Sequence, residues 1–160
     1  MNIKQPNRRK HAYSQQLNAP PKIVFPLLCP VMEAKWVPGW MPELVISQSG
    51  VCEQDCMFIT PAESPLEPEA SIWIVTKYDT ANWSLEMYKV TPGHTVSKLE
   101  ITLADDAASS TTAQISYEIT VLGTAGEQFM EGFTEKWYED FMTEWEKQMN
   151  YYLDSGNKIA

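Results

Sequence analysis

Residues 124–153 read TAGEQFMEGFTEKWYEDFMTEWEKQMNYYL, a proline-free run in which only Gly126 and Gly132 weaken a helix. Phe129, Phe133, Trp137, Phe141 and Trp145 recur every four residues, with Met130, Met149 and Tyr152 close to the same stripe. Glu127, Glu131, Glu135 and Glu139 share another face at the same spacing. The pattern predicts one amphipathic helix of about 28 residues, ~42 Å long, more than a small domain needs for packing alone. Gly156 is well placed to end it.

Upstream, residues 43–122 have the texture of β structure. Ala113, Ile115, Tyr117, Ile119 and Val121 alternate with Gln114, Ser116, Glu118 and Thr120, so one face is buried and one wet, as in an antiparallel sheet. Ser97, Leu99, Ile101 and Leu103 alternate in the same way with Lys98, Glu100 and Thr102. Residues 72–78 and 83–90 form a hairpin around Asp79-Thr80-Ala81-Asn82, and Thr91-Pro92-Gly93-His94 has the Pro-Gly centre of a type II turn. Short strands are expected over 43–47 and 57–60, an exposed loop over 61–69 and a turn over 105–110. Before the sheet, residues 13–17 alternate weakly as a first strand. Pro20-Pro21 then opens a short helix, Pro26 and Pro30 keep it short, and a second follows over 31–35. Trp36-Val37-Pro38-Gly39-Trp40-Met41-Pro42 is a rigid aromatic loop.

The bulk properties narrow the function classes. A chain of 160 residues is one domain in size and can bury a real core. Lys4, Arg8, Arg9 and Lys10 lie in an acid-free first ten residues, and the remaining 150 hold 8 Lys, no Arg and 21 acids, a net of −13. A body this acidic repels phosphate backbones, so nucleic acid is not an expected partner. No apolar run approaches the ~20 residues of a membrane span, so integral membrane association is not expected and a cytoplasmic location is. Cys29, Cys52 and Cys56 form no disulfide or metal framework and read as reduced thiols. Residues 1–11 read as a disordered basic arm, 12–154 as the domain and 155–160 as a disordered tail.

Several phrases together resemble the START/birch-pollen-allergen superfamily, particularly its bacterial polyketide-cyclase-like and uncharacterised members. They are Asn18-Ala19-Pro20-Pro21 with Val24 and Leu27-Leu28, Trp36 to Trp40, Tyr78-Asp79, Val90-Thr91-Pro92-Gly93, and the last strand running into Gly126 and Trp137 to Trp145. The resemblance spans residues 12–153 and implies an α+β helix-grip fold: a curved antiparallel sheet of about seven strands wrapped around a long C-terminal helix, with two short helices after the first strand. It also implies a cavity between sheet and helix. Members carry apolar molecules, cyclise polyketides, or bind client proteins as co-chaperones.

No nucleophile elbow, phosphate-cradling loop or zinc-protease motif is present. His11 falls in the arm and His94 at a turn tip, where a solvated residue is expected. Glu86 interrupts an apolar strand, so a cavity-facing Glu86 would be a candidate acid, base or anchor. The strand parity leaves its direction open, because Leu85 and Met87 compete with Glu86 and Tyr88 for the inward face. The leading expectation is reversible binding of a small apolar or aromatic ligand without a cofactor or metal. Its wall would be drawn from Trp36, Trp40, Trp73, Tyr88, Tyr117, Phe129, Phe133, Trp137 and Phe141, with Trp36 and Trp40 as lid or entrance. The same aromatic bulk could instead fill the space. A metal-free cyclase or dehydratase and a protein-binding module are the alternatives, and a homodimer stays open.

Overall fold

The computed structural model describes residues 1, 3–62, 69–106 and 109–159; most of the 61–69 loop and the middle of the 105–110 turn lie outside them. Seven strands run β1 (Arg8–Leu17), β2 (Leu44–Ile46), β3 (Met57–Thr60), β4 (Ser71–Asp79), β5 (Ser84–Thr91), β6 (Thr95–Asp105) and β7 (Thr111–Val121). They form one antiparallel sheet in the order β1-β7-β6-β5-β4-β3-β2, so the first strand closes the meander beside the last. Two short helices, α1 (Pro21–Val24) and α2 (Pro30–Glu33), follow β1 with a 3-10 turn, Phe25–Leu28, between them. The chain ends in α3 (Thr124–Gly132) and α4 (Glu135–Ser155).

The alternation in the sequence becomes the two faces of this sheet. Ser97, Leu99, Ile101 and Leu103 of β6 and Ala113, Ile115 and Ile119 of β7 are buried on the concave side. On β5 it is Leu85, Met87 and Lys89 that turn inward, which resolves the open parity and sends Glu86 and Tyr88 to the convex side. The β5–β6 turn has the expected geometry: Gly93 takes φ +70 and the His94 N–H donates to Thr91 O at 3.0 Å.

Two expectations are corrected at the ends of the chain. Strand β1 starts at Arg8, so the expected arm over 1–11 gives up its last four residues to the sheet, where Arg8 pairs with Thr120 and His11 with Tyr117. The single long helix is two helices. The chain leaves α3 at Phe133 (φ −78, ψ 66), and Thr134 restarts it as an N-cap, its Oγ1 accepting from Trp137 N at 3.1 Å. Residues of β1 hold the break: Arg9 Nη1 donates to the carbonyls of Met130 and Phe133, both at 2.8 Å, and His11 Nε2 lies 3.1 Å from Phe133 O. The guanidinium thus satisfies orphan carbonyls at the negative end of α3. Gly156, at φ +71, closes α4 as expected.

Helix α4 lies along the free edge of β1. Glu146 accepts from Gln16 N at 3.0 Å, Asn150 donates to Gln16 O at 2.8 Å, and its Oδ1 accepts from Asn18 N at 2.9 Å. Inside, Gln15 donates to Met142 O at 2.8 Å and Tyr138 donates its hydroxyl to Ile115 O at 2.9 Å. The start of α3 sits on the β5–β6 turn so closely that a Cβ at Gly126 would lie 2.1 Å from His94 O. This contact buries His94 to 2% exposure, with Nδ1 3.1 Å from Thr95 Oγ1 and the ring edge-on to Phe129, which corrects the expected solvated turn tip.

The two α3 glycines therefore respond oppositely to alanine. Gly126→Ala is expected to cost about 1–3 kcal/mol by overpacking against His94. Gly132→Ala, with nothing within 4 Å of its added methyl, should be neutral or stabilise by less than ~1 kcal/mol. Thermal unfolding of both variants, with a drop in Tm for the first only, checks this packing.

Candidate functional site: a cavity under the gripping helix

The concave face and α3–α4 do not meet everywhere. Between them lies an open cavity of about 480 Å³. Its sheet wall includes Phe58, Trp73, Met87, Leu99, Ile115 and Ile119; its helical wall includes Phe129, Phe133, Tyr138 and Met142; Val37 to Met41 and Glu33 complete it from the loop and α2.

The reason for the gap is a matter of phase. A four-residue repeat advances about 40° per step around a helix of 3.6 residues per turn, so five aromatics cannot share one face. The buried line of α4 is Tyr138, Met142 and Met149, which follows the true helical period. Trp137 and Phe141, stacked at 5.3 Å and 15°, are displaced to the cavity rim at 46% and 42% exposure. Phe133 is buried and Phe129 half-buried above the same cavity.

Of the residues read as ligand-binding, Trp40, Trp73, Tyr117, Phe129, Phe133, Trp137 and Phe141 border this one cavity. Trp40 is pinned by its Nε1 donating to Pro30 O at 2.7 Å, and Trp73 by Nε1 donating to Thr60 Oγ1 at 3.1 Å while stacked on Phe58. Two residues lie elsewhere. Trp36 is fully buried, donates Nε1 to Leu27 O at 2.9 Å and meets Trp145 edge-on, so it anchors the loop from inside the core and is not a lid. Tyr88 is on the convex face beside Arg8, Lys98 and Glu118.

Glu86 also faces outward. Lys98 Nζ sits 2.8 Å from it and Thr76 Oγ1 donates to it at 2.7 Å, and these bonds hold its carboxyl below the ordinary carboxylate range. Lys98 continues to Glu100 at 3.0 Å and Glu100 to Lys10 at 2.9 Å, a surface ion network across the strands. The candidate acid–base role of Glu86 in the cavity is therefore lost to geometry.

The charged groups that do line the cavity are ones sequence reasoning missed. Lys89, on the inward face of β5, is 7% exposed with Nζ 5.4 Å from the centre of the Trp73 ring. Glu33, in the last turn of α2, borders the cavity, and among the described residues no side chain bonds to its carboxylate. The residue is half-buried at the edge of this open cavity. Burial pushes its pKa up to about 8. Behind it sit three free, buried cysteines, with Cys52 N donating to Cys29 Sγ at 3.0 Å; burial first, then Cys29, Cys56 and Glu33, raise the Cys52 thiol. Among the described residues no cluster of His, Cys, Asp or Glu suits a metal ion, and no helix is long and apolar enough to cross a membrane.

Comparison with solved structures places this architecture. The norcoclaurine synthase of Thalictrum flavum superposes with a TM-score of 0.67 at 10% identity, covering 93% of this chain and 96% of that one. Another structure of that synthase, in complex with dopamine and hydroxybenzaldehyde, gives 0.66 at 11%, over 94% and 89%. Ara h 8.0201 gives 0.62 at 10%, over 93% and 99%, and an uncharacterised Rhizobium leguminosarum protein 0.63 at 9%, over 96% and 99%. No family model and no curated protein matches the sequence. The fold is the helix-grip fold that these structures share, with a seven-stranded antiparallel sheet, short helices after the first strand and a long C-terminal helical segment. At these identities the likeness is one of fold.

Glu33 makes stability depend on pH in a definite direction. Its folded-state pKa is raised above the ordinary 4.5, so folding takes up a proton between about pH 4.5 and 8. The contribution is fully present below pH 4.5 and is lost as pH rises through 8. The Tm of the wild type minus that of Glu33→Gln should therefore fall between pH 5 and 9; a flat difference would contradict a carboxyl whose pKa folding raises. Glu86→Gln should leave this profile unchanged.

Proposed function

We propose that the protein reversibly binds a small apolar or aromatic molecule in the cavity between its sheet and its C-terminal helices. The observation that carries this is the 480 Å³ opening itself, walled by aromatic side chains that are held in place rather than collapsed into it. A space of this size fits a drug-sized ligand, and each large apolar group buried there is worth about 1.5–3 kcal/mol. The norcoclaurine synthase structure with dopamine and hydroxybenzaldehyde supports the reading in one respect: a protein of the same fold takes small aromatic molecules. A reducing compartment such as the cytoplasm suits three unpaired thiols. The protein-binding alternative draws on Leu44, Ile46, Met57 and Ile72, exposed apolar side chains of β2–β4, but an open aromatic cavity favours the carrier.

Nile red, an uncharged dye, tests the occupancy directly. It should bind with one-to-one stoichiometry and enhanced fluorescence, and Leu99→Trp, which fills the cavity from β6, should weaken it at least about tenfold without lowering Tm. Equal binding to both proteins would place the dye elsewhere and overturn the reading.

A second reading, a metal-free cyclase or dehydratase, gains from Glu33, Lys89 and Tyr117 lining the same cavity, since such chemistry needs inward acid and base groups. It requires a substrate carrying a 1,3-dicarbonyl and a further ketone, whose activated methylene carbon bonds to that ketone's carbon while the ketone oxygen leaves as one water, detected by mass, and Glu33→Gln and Lys89→Met each to slow turnover by roughly 100-fold or more. Turnover untouched by both substitutions would remove it.

A further inference from the structure

Three charged side chains border the cavity, Glu33, Lys89 and Glu144, and they are not equivalent. Lys89 already rests against the face of Trp73. The Glu33 carboxylate, in contrast, meets no donor or cation among the described residues, although it borders a cavity walled by Trp40, Phe58 and other aromatic side chains. A half-buried carboxyl with no bonded partner is disfavoured in its charged form, and a cation brought to it offsets that cost. Aromatic faces around the same space attract the same charge. The remaining charged and titratable neighbours do not supply that cation. Glu144, at the mouth, is itself an acid held by Lys147 and Gln148; the Tyr138 hydroxyl is spent on Ile115 O; the Cys52 thiol lies behind Glu33; and Lys89 is not among the groups acting on the Glu33 carboxyl. Beyond residue 10 the chain carries a net −13, so the field of the whole body favours a positive ligand over a negative one.

We propose that the ligand is an organic cation, a protonated amine on an apolar or aromatic body, whose ammonium group pairs with the Glu33 carboxylate while the body lies against the aromatic walls. The inference rests on the carrier reading above and specifies its ligand. It has a thermodynamic signature. An amine of pKa ~10 arrives protonated, and pairing draws Glu33 into its charged form, so the carboxyl proton passes to the buffer. With the free carboxyl titrating at about 8, about one proton is released per ligand bound at pH 7.

Three probes of matched shape separate the cases: 4-phenylbutylamine, 4-phenylbutan-1-ol and 4-phenylbutyrate, titrated calorimetrically at pH 7 in two buffers of different ionisation enthalpy. The amine should bind at least about tenfold more tightly than the alcohol, and the butyrate most weakly. Only the amine should release a proton, and Glu33→Gln should erase both its advantage and the release while leaving the alcohol's affinity unchanged. The wild-type proton count stands alone as a test if Glu33→Gln fails to fold. Equal affinity of amine and alcohol, or amine binding without proton release, overturns the cation proposal and leaves the carrier reading standing. Binding of none of the three, together with no uptake of Nile red, overturns both.

Discussion

The free edge of β1 is the constraint on which the rest depends. An edge strand exposes backbone donors and acceptors that need partners or protection. Here Glu146 and Asn150 of α4 bond the backbone of Gln16 and Asn18, and Arg9 and His11 reach the carbonyls at the end of α3. The contacts fix α4 lengthwise along one edge of the sheet rather than across its centre. Toward β3 and β4 the space is bordered by α2 and the loop that follows it rather than filled by α4. The cavity is what remains between a helix held at one edge and a sheet that curves away from it.

The break between α3 and α4 follows from the same clamp. A straight helix continuing from the β7 end would have to satisfy both the close approach of Gly126 to His94 and the edge contacts of β1 with one axis. Changing direction at Phe133 and Thr134 releases that demand. It leaves carbonyls unpaired, and the Arg9 guanidinium supplies donors to two of them. It also resets the helical phase, so Met130 and Phe133 point into the core of one segment and Tyr138 and Met142 into that of the next. Trp137 and Phe141 consequently become rim residues, available to cover a ligand rather than to seal the core.

The parts legible in the sequence are those governed by period and turn chemistry. The alternation of β6 and β7 gave the concave face residue by residue, and Pro92-Gly93 gave its turn. The helix stripe was legible as amphipathic but not in its phase, because a four-residue spacing resembles 3.6 over one turn and departs from it over four. Thr134 followed by Glu135 was the available signal for a restart, masked by the absence of proline. Parity on β5 was undecidable from polarity alone, since Glu86 and Lys89 are both charged and fall on opposite faces. Only the contacts of Glu86 with Lys98 and Thr76 show which charge is satisfied outside. Arg8 to His11 read as a tail because their partners, Met130, Phe133 and Thr120, lie more than 100 residues away.

Glu33, on which the proposed ligand turns, was the hardest residue to see. A charged residue on a four-residue helix between Met32 and Ala34 looks like an ordinary solvated position, and nothing local distinguishes it. Its meaning comes from Trp40 folding back to Pro30 and Trp36 to Leu27, which turns the loop inward and carries α2 to the cavity wall. Partial burial raises the carboxyl's pKa there and so disfavours its charged form. A hydrophobic residue at the same place would pack without that constraint. Local conflicts between stability and sequence of this kind concentrate where a protein meets its ligand. On that ground Glu33, an acid of the cavity with no bonded partner among the described residues, says more about the proposed occupant than the aromatic side chains around it, because the aromatics would serve a closed core equally well and the acid would not.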